Sequence, residues 1–150
     1  MILNKDMKVL TGMWVYAKKR ELDGNIRYKA RWVAKGCSQK FGINYTDTFA
    51  PLARMTTIRV LLFLSVQFNL IAHQVDVSTA FLNGDLDHEI YMYPPMGFSD
   101  KFGRVCRLNK SLYGLKQSAK LWNDKLNEFI VSLNFRRSKL DSCIYIKKEK

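Results

Sequence analysis

One acidic residue inside an apolar run limits the folds open to this chain. Residues 71–84 read IAHQVDVSTAFLNG, with Asp76 between two valines and an Asn-Gly pair at the end. The β-branched valines predict a strand, and the Asn-Gly pair predicts a tight turn after it. A carboxylate in such a strand is costly to bury unless a hydrogen bond, an opposite charge or a metal ion satisfies it. The stretch alone therefore permits two interpretations, a structural aspartate held by backbone amides or a metal ligand.

At 150 residues the chain is one domain or a piece of one. Hydrophobic periodicity and turn residues predict both helices and strands, an α+β (mixed α/β) chain, in residues 13–150 after a poorly patterned start at residues 1–12. Thr56 or Thr57 is predicted to cap the first helix, whose apolar side is expected to be core. The predicted elements, in chain order, are a hairpin of strands 13–20 and 26–35, a loop at 36–55, a helix at 56–69, a short strand at 104–108, a helix from about 116 to 133 and a strand at 142–147.

Charge is unevenly distributed along the chain, whose net charge is +12. Residues 1–40 hold ten basic and three acidic side chains, residues 41–100 hold two and six, and residues 101–150 hold thirteen and four. Two basic flanks around an acidic middle suit a polyanion, most simply nucleic acid. A solvated basic surface is the alternative interpretation, and charge alone does not exclude it.

Targeting signals and cysteine spacing indicate the cellular environment. The first ten residues, MILNKDMKVL, lack the apolar core of a signal peptide, and no apolar run is long enough to span a membrane, so no membrane partner is expected. The three cysteines are far apart and predict neither a zinc site nor a disulfide framework. A reducing, intracellular compartment fits this pattern.

Several basic side chains are candidates for contacting phosphates. Strand alternation places Lys29 and Arg31 on one face of the hairpin. Lys116 and Lys120 lie at the start of the second helix, where amide groups and the helix dipole favour anions. Each of these also has the simpler interpretation of a solvated lysine or arginine. Further basic residues follow the second helix, at Arg136 and Arg137.

The order of the motifs resembles the reverse transcriptase of copia-type retrotransposon Pol polyproteins. The matching stretches are RYKARWVAKGCSQ, INYTDTFAPLAR, QVDVSTAFLNGDL, EIYM, VCRLNKSLYGLKQSAKLW and DSCIYI, which extend from about residue 13 to residue 146. The resemblance implies a right-hand polymerase with fingers and palm of mixed α and β structure. It also implies RNA-directed DNA synthesis by nucleotidyl transfer with two divalent metal ions.

The resemblance assigns roles to individual residues. It implies that Asp76 is the first catalytic, metal-binding aspartate, that the Val77 carbonyl assists it, and that the cofactor is Mg²⁺. Phe81 matches the aromatic position against which the sugar of an incoming deoxynucleotide packs. The other nucleotide-binding positions are Lys29, Arg31, Tyr113, Gly114 and Lys116, with the register of the first two open and Lys35 as the alternative. Expected nucleic-acid contacts are Lys35, Lys120, Arg136 and Arg137.

The chain departs from the family at the second catalytic motif, a hairpin carrying Asp-Asp. No Asp-Asp pair occurs in its 150 residues. We therefore expect fingers plus a partial palm, truncated before that hairpin and inactive alone. In the parent enzyme the partners are an RNA template, a DNA primer and deoxynucleoside triphosphates. The missing palm and thumb segments would lie in the same polyprotein, which would be in cytoplasmic particles or the nucleus. The alternatives are a non-enzymatic nucleic-acid-binding protein and a non-functional translated relic.

Overall fold

The computed structural model describes residues 8–98 and 103–148, and it confirms a mixture of α and β structure. No helix within these ranges has the length and apolarity that crossing a membrane requires. Two 3₁₀ turns, Gly36–Ser38 and Ala80–Asn83, accompany the regular elements. These elements are β1 (Val9–Leu10), β2 (Gly12–Arg20), β3 (Ile26–Ala34), α1 (Met55–Gln67), β4 (Tyr91–Met92), β5 (Cys106–Arg107), α2 (Ser118–Ser132), β6 (Arg136–Arg137) and β7 (Tyr145–Ile146).

The predicted basic hairpin is confirmed as the antiparallel pair β2–β3. Trp14 pairs with Trp32, and their rings meet edge to face at 5.4 Å. The turn uses Gly24 at φ +83°, a conformation that glycine adopts without a steric penalty. The Asn25 amide donates to the Asp23 carboxylate at 3.0 Å and closes the turn. The strand register keeps alternate residues of β3 on one face, as predicted.

A small core lies beneath the end of this hairpin. Strand β4 pairs in parallel with β1 and antiparallel with β5, so three short strands form one sheet. Strand β1 was not predicted, since the residues before position 13 show no pattern. The buried side chains that share this core are Leu10, Ala34, Ile90, Met92 and Leu115. The core therefore joins the hairpin to the loop before α2.

Helix α1 follows the predicted bounds, but its cap and its environment differ from the prediction. Arg54 occupies the cap position without a side-chain hydrogen bond, so the predicted threonine cap is wrong. The Thr57 hydroxyl instead donates to the Asp141 carboxylate at 2.8 Å. The prediction of a core helix is also wrong, because no residue of α1 is buried. Its large apolar side chains, among them Leu61, Leu62, Phe63 and Val66, are exposed.

The predicted strand around Asp76 is wrong. Residues 70–77 are irregular and exposed, because no described strand offers them a hydrogen-bonding ladder. The predicted tight turn after them is present as the 3₁₀ turn Ala80–Asn83, in which the Gly84 amide donates to the Phe81 carbonyl at 3.1 Å. Valine pattern alone therefore does not make a strand here, since a strand requires a partner.

The C-terminal half largely follows the prediction. Helix α2 begins two residues later than predicted and ends one residue earlier, and it buries Leu121. The predicted strands at 104–108 and 142–147 are present as the two-residue strands β5 and β7. Strand β6, which pairs with β7, was not predicted because basic residues dominate it.

Candidate nucleotide-binding site

Two aromatic rings that the sequence placed far apart meet in the structure. The centroids of Phe81 and Tyr113 are 5.2 Å apart, with 40° between the ring planes, and we call them the ring pair. Phe81 lies half-buried in the 3₁₀ turn Ala80–Asn83, whereas 55% of Tyr113 is exposed. The structure thus brings together two of the predicted nucleotide-binding residues on one partly open aromatic surface.

The half of the ring pair that carries Phe81 is held by Ser111. Its hydroxyl donates to the Phe81 carbonyl, and its amide donates to the Gly84 carbonyl at 2.9 Å. Gly84 is buried against α2, because a Cβ at this position would lie 3.0 Å from the Leu121 Cβ. Ser111 and α2 therefore fix the turn from two sides.

The half that carries Tyr113 is joined to the end of the hairpin. The Ala34 amide donates to the Tyr113 carbonyl at 2.9 Å. Gly114 adopts φ +95°, and a Cβ there would lie 2.2 Å from the Ala34 carbonyl oxygen. On the other side, a Cβ on Gly36 would lie 2.1 Å from the Gly114 oxygen. Only glycine allows this close approach between the hairpin and the predicted nucleotide-binding turn.

A buried chain of amides reinforces the same junction, and sequence reasoning missed it. Gln117 is fully buried and Gln39 is 5% exposed. The Lys116 amide donates to Gln39 Oε1 at 2.7 Å, and Gln39 Nε2 donates to Gln117 Oε1 at 2.9 Å. Gln117 Nε2 then donates to the Asn44 carbonyl at 2.7 Å. The only signal in the sequence was that both glutamines lie within matching stretches of the resemblance, RYKARWVAKGCSQ and VCRLNKSLYGLKQSAKLW.

Lys29 and Arg31 share a positively charged face of β3. The pKa of Lys29 lies below its usual value, first because of the charge of Arg31, then because of partial burial and the charges of Lys19 and Arg27. The carboxylate of Asp76 acts in the opposite direction on the same pKa, so its field reaches Lys29. Repulsion among like charges makes this face favourable for an anion.

The predicted metal ligand Asp76 is exposed on the irregular segment 70–77, next to Val77. Its carboxylate and the Val77 carbonyl are oxygen donors of the kind that Mg²⁺ prefers. Within the described ranges, however, no group of three His, Cys, Asp or Glu side chains is placed to hold a metal ion. These residues supply one carboxylate, which is too few for a two-metal site.

The lysines around the start of α2 are engaged within the protein. Lys116 Nζ lies 3.1 Å from the Tyr45 hydroxyl and 4.9 Å from the centre of its ring. Lys120 Nζ donates to the Asp124 carboxylate at 2.7 Å, and this bond raises the pKa of Lys120. Ser118, the first residue of α2, is buried. The amide end of α2 is therefore covered rather than open to a ligand.

The remaining predicted nucleic-acid contacts are scattered. Lys35 is exposed at the end of the hairpin, and Arg136 is exposed in β6. The Arg137 guanidinium donates to the Ser142 carbonyl and lies 5.9 Å from the Tyr145 ring. Arg137 therefore stabilises its own hairpin, whereas Lys35 and Arg136 present their side chains to solvent.

Comparison with known proteins assigns the sequence of this chain to a family. The whole chain, residues 1–150, matches the family described as reverse transcriptase (RNA-dependent DNA polymerase). The retrovirus-related Pol polyprotein from transposon TNT 1-94 of Nicotiana tabacum is 44% identical over 149 residues, which are 97% of this chain and 11% of the relative. The corresponding polyprotein from transposon RE1 of Arabidopsis thaliana is 40% identical over 136 residues, which are 89% of this chain and 9% of the relative.

A yeast protein shows that the similarity extends beyond plants. The transposon Ty1-H Gag-Pol polyprotein of Saccharomyces cerevisiae is 31% identical over 157 aligned positions, which cover 93% of this chain and 8% of the relative. No solved structure matches the chain. The chain spans about a tenth of the length of the curated relatives it matches.

Proposed function

The chain belongs to the reverse transcriptase family of retrotransposon Pol polyproteins, and from this premise we propose that it forms the fingers and the first part of the palm of such an enzyme. The observation that carries the proposal is the ring pair of Phe81 and Tyr113, bonded to the end of a basic hairpin through Ala34. The hairpin supplies positive charge for phosphates, and the ring pair supplies an aromatic surface for a sugar and base.

The proposed site orients a deoxynucleoside triphosphate. Lys29 and Arg31 attract and hold the phosphates, since an added negative charge relieves the repulsion among the like charges on their face of β3. The sugar packs against Phe81, whose ring leaves no room for a 2′-hydroxyl. Tyr113 and Gly114 lie beside the base. The close contact of Gly114 with Ala34 fixes how near this turn lies to the end of the hairpin. Lys116 follows Gly114 by two residues and is a further phosphate contact, available once its bond to Tyr45 exchanges.

Asp76 and the Val77 carbonyl are proposed to bind one divalent ion. In polymerases such ions stabilise the attacking and leaving oxygens of phosphoryl transfer. The second set of carboxylates is not supplied by this chain, which has no Asp-Asp pair. We therefore propose that these 150 residues bind substrates but do not extend a primer by themselves.

Two measurements on the purified chain test this proposal. First, dATP binding is expected, and replacing Lys29 and Arg31 together by alanine should abolish it. A charge-matched control replaces Lys139 and Lys148, which are exposed and outside the site, and should leave dATP binding unchanged. If both double variants bind dATP equally, the assignment of the phosphate site is wrong.

Second, magnesium-dependent primer extension should be absent. Extension that Asp76→Ala abolishes would contradict the proposed inactivity and would show that the carboxylates of this chain suffice.

Nucleic-acid binding without catalysis is a second candidate, which the basic flanks favour. Exposed Lys35 and Arg136 are its proposed phosphate contacts, with Lys120 and Arg137 available once their internal bonds exchange. Several phosphate contacts would make the affinity for a template–primer duplex fall steeply with salt, because bound counterions are released. An affinity that does not change with salt would exclude this candidate and favour a relic without function.

A further inference from the structure

The buried amides of Gln39 and Gln117 form a continuous link between two distant parts of the chain, which we call the amide clasp. Seventy-eight positions separate the two glutamines. The clasp begins at the Lys116 amide and ends at the Asn44 carbonyl. Asn44 is itself buried, and its side-chain oxygen accepts from the Lys40 amide at 3.0 Å. The clasp thus ties the loop after the hairpin to the start of α2.

The direction of every bond in the clasp is fixed by its two ends. A backbone amide can only donate, so the atom of Gln39 that faces Lys116 must be its oxygen. Gln39 then has only its nitrogen for Gln117, which must present oxygen to Gln39 and nitrogen to the Asn44 carbonyl. Neither side chain can be flipped without placing two donors or two acceptors against each other.

The clasp lies directly behind the proposed site. Gln117 is three residues after Gly114, and Gln39 is five residues after Ala34, so the clasp spans the junction at which Ala34 bonds Tyr113. Movement of the loop after the hairpin relative to the start of α2 would break this chain of buried hydrogen bonds, and Ala34 and Tyr113 lie only a few residues from its members. Buried polar groups are costly when they are left unsatisfied, so the clasp resists such movement.

We propose that Gln39 and Gln117 are positioning residues that hold the basic face of the hairpin at a fixed place relative to the ring pair. This inference rests on the proposed function, since it concerns affinity for the same triphosphate. The glutamines do not touch the ligand. They act through Ala34 and Tyr113, whose bond sets where the phosphate-binding and sugar-binding residues lie.

Gln39→Glu tests the clasp at the level of single atoms. The carboxylate still accepts from the Lys116 amide, but it cannot donate to Gln117 Oε1 until it is protonated. Burial raises the pKa of such a carboxyl group, so protonation occurs within a pH range that the protein can tolerate. We expect the affinity for dATP to fall about tenfold at about pH 8 and to recover near pH 5.5. A tenfold change lies within the usual range for coupling between two sites of one protein.

The measured quantity is the ratio of dissociation constants between the variant and the unaltered chain at each pH, which cancels titration of the nucleotide itself. Gln67→Glu is the matched control, because it makes the same chemical change at an exposed position of α1. A ratio for Gln39→Glu that stays near one, or that does not change with pH, would overturn the inference.

Amide hydrogen exchange gives a reading that does not depend on the nucleotide. In Gln39→Glu, the Ala34 amide should exchange faster than in the unaltered chain, whereas the amides of Val15 and Arg31, a hydrogen-bonded pair within the hairpin, should not change. If the unaltered chain fails to bind dATP, the proposed function is wrong. The exchange rate of the Ala34 amide alone then tests whether the clasp holds the junction between Ala34 and Tyr113. An unchanged exchange rate of the Ala34 amide would overturn the inference about the clasp.

A second variant covers the case in which Gln39→Glu does not fold. Replacing Gln39 and Gln117 together by methionine keeps the volume and removes the hydrogen bond between the two side chains, together with their bonds to the Lys116 amide and the Asn44 carbonyl. This variant is expected to fold and to bind dATP about tenfold more weakly, in the range of couplings between linked groups. Binding as tight as that of the unaltered chain would show that packing alone positions the site.

Discussion

At the scale of single residues, the proposed site depends on one glycine, because its backbone conformation and its close contact do not suit a residue with a Cβ. Gly114 combines φ +95° with a contact that leaves no space for a Cβ. The sequence predicted its importance only through the family resemblance. The collision with Ala34 needs a partner eighty residues away and is not visible in the local pattern.

Gly114→Ala is therefore expected to destabilise the fold more than the same change elsewhere. The backbone conformation alone costs roughly 1–3 kcal/mol, and the collision at 2.2 Å from the Ala34 oxygen adds to that. Gly42→Ala is the matched control, because Gly42 has φ +74° and nothing within 4 Å of an added Cβ. Denaturant unfolding of both variants measures the difference, and equal losses of stability would contradict the close contact.

Phe81 carries the predicted choice between deoxyribose and ribose. Phe81→Val should weaken the preference for dATP over ATP roughly tenfold, the scale at which a packed pocket rejects one additional group. The comparison of dATP with ATP isolates the 2′-hydroxyl. Phe129→Val, which shortens an exposed ring on α2, serves as control and should leave the preference unchanged. If Phe81→Val leaves the ratio of affinities unchanged, Phe81 has a structural role only.

At the scale of elements, the sequence predicts what local pattern determines. The bounds of α1, α2 and the β2–β3 hairpin follow from periodicity and turn residues. The strand expected around Asp76 and the core expected around α1 failed for one reason: each requires a partner element that the described residues do not supply. The same limit hid β1, since two residues acquire strand structure only by pairing with β4.

The contact between α1 and the β6–β7 hairpin predicts a specific dependence on pH. Hydrogen bonds from the Cys143 amide and the Thr57 hydroxyl hold the pKa of Asp141 below the ordinary value of an aspartate. A carboxyl group whose pKa is lower in the folded state contributes stability above its unfolded pKa, and this contribution disappears as pH falls through the folded pKa.

Asp141→Asn should accordingly lower the free energy of unfolding at neutral pH by more than it does in acid. The difference between variant and unaltered chain is expected to be constant above the unfolded pKa and to shrink below about pH 3.8. Thr57→Val should show the same trend with a smaller loss, because it leaves the hydrogen bond from the Cys143 amide, which lowers the pKa of Asp141 more than the Thr57 hydroxyl does. A difference that does not change with pH would mean that Asp141 is not charged in the contact.

At the scale of the whole molecule, an apolar surface and a high positive charge have opposite effects on self-association. The side of α1 that faces solvent carries Leu61, Leu62, Phe63 and Val66, the last of them 83% exposed. An apolar surface of this kind favours association. The net charge of +12 opposes association by repulsion between molecules, and added salt screens that repulsion.

Self-association of the chain should therefore increase with salt, whereas its binding to nucleic acid should decrease. Replacing Leu61 and Val66 by lysine places charge within the apolar surface, so this variant is expected to remain monomeric at salt concentrations at which the unaltered chain associates. Leu22→Lys adds a charge at a fully exposed position in the hairpin turn, away from α1, and is the control. Light scattering and sedimentation over a salt series measure the effect. If Leu22→Lys suppresses association as strongly as the double variant, charge rather than the surface of α1 controls it.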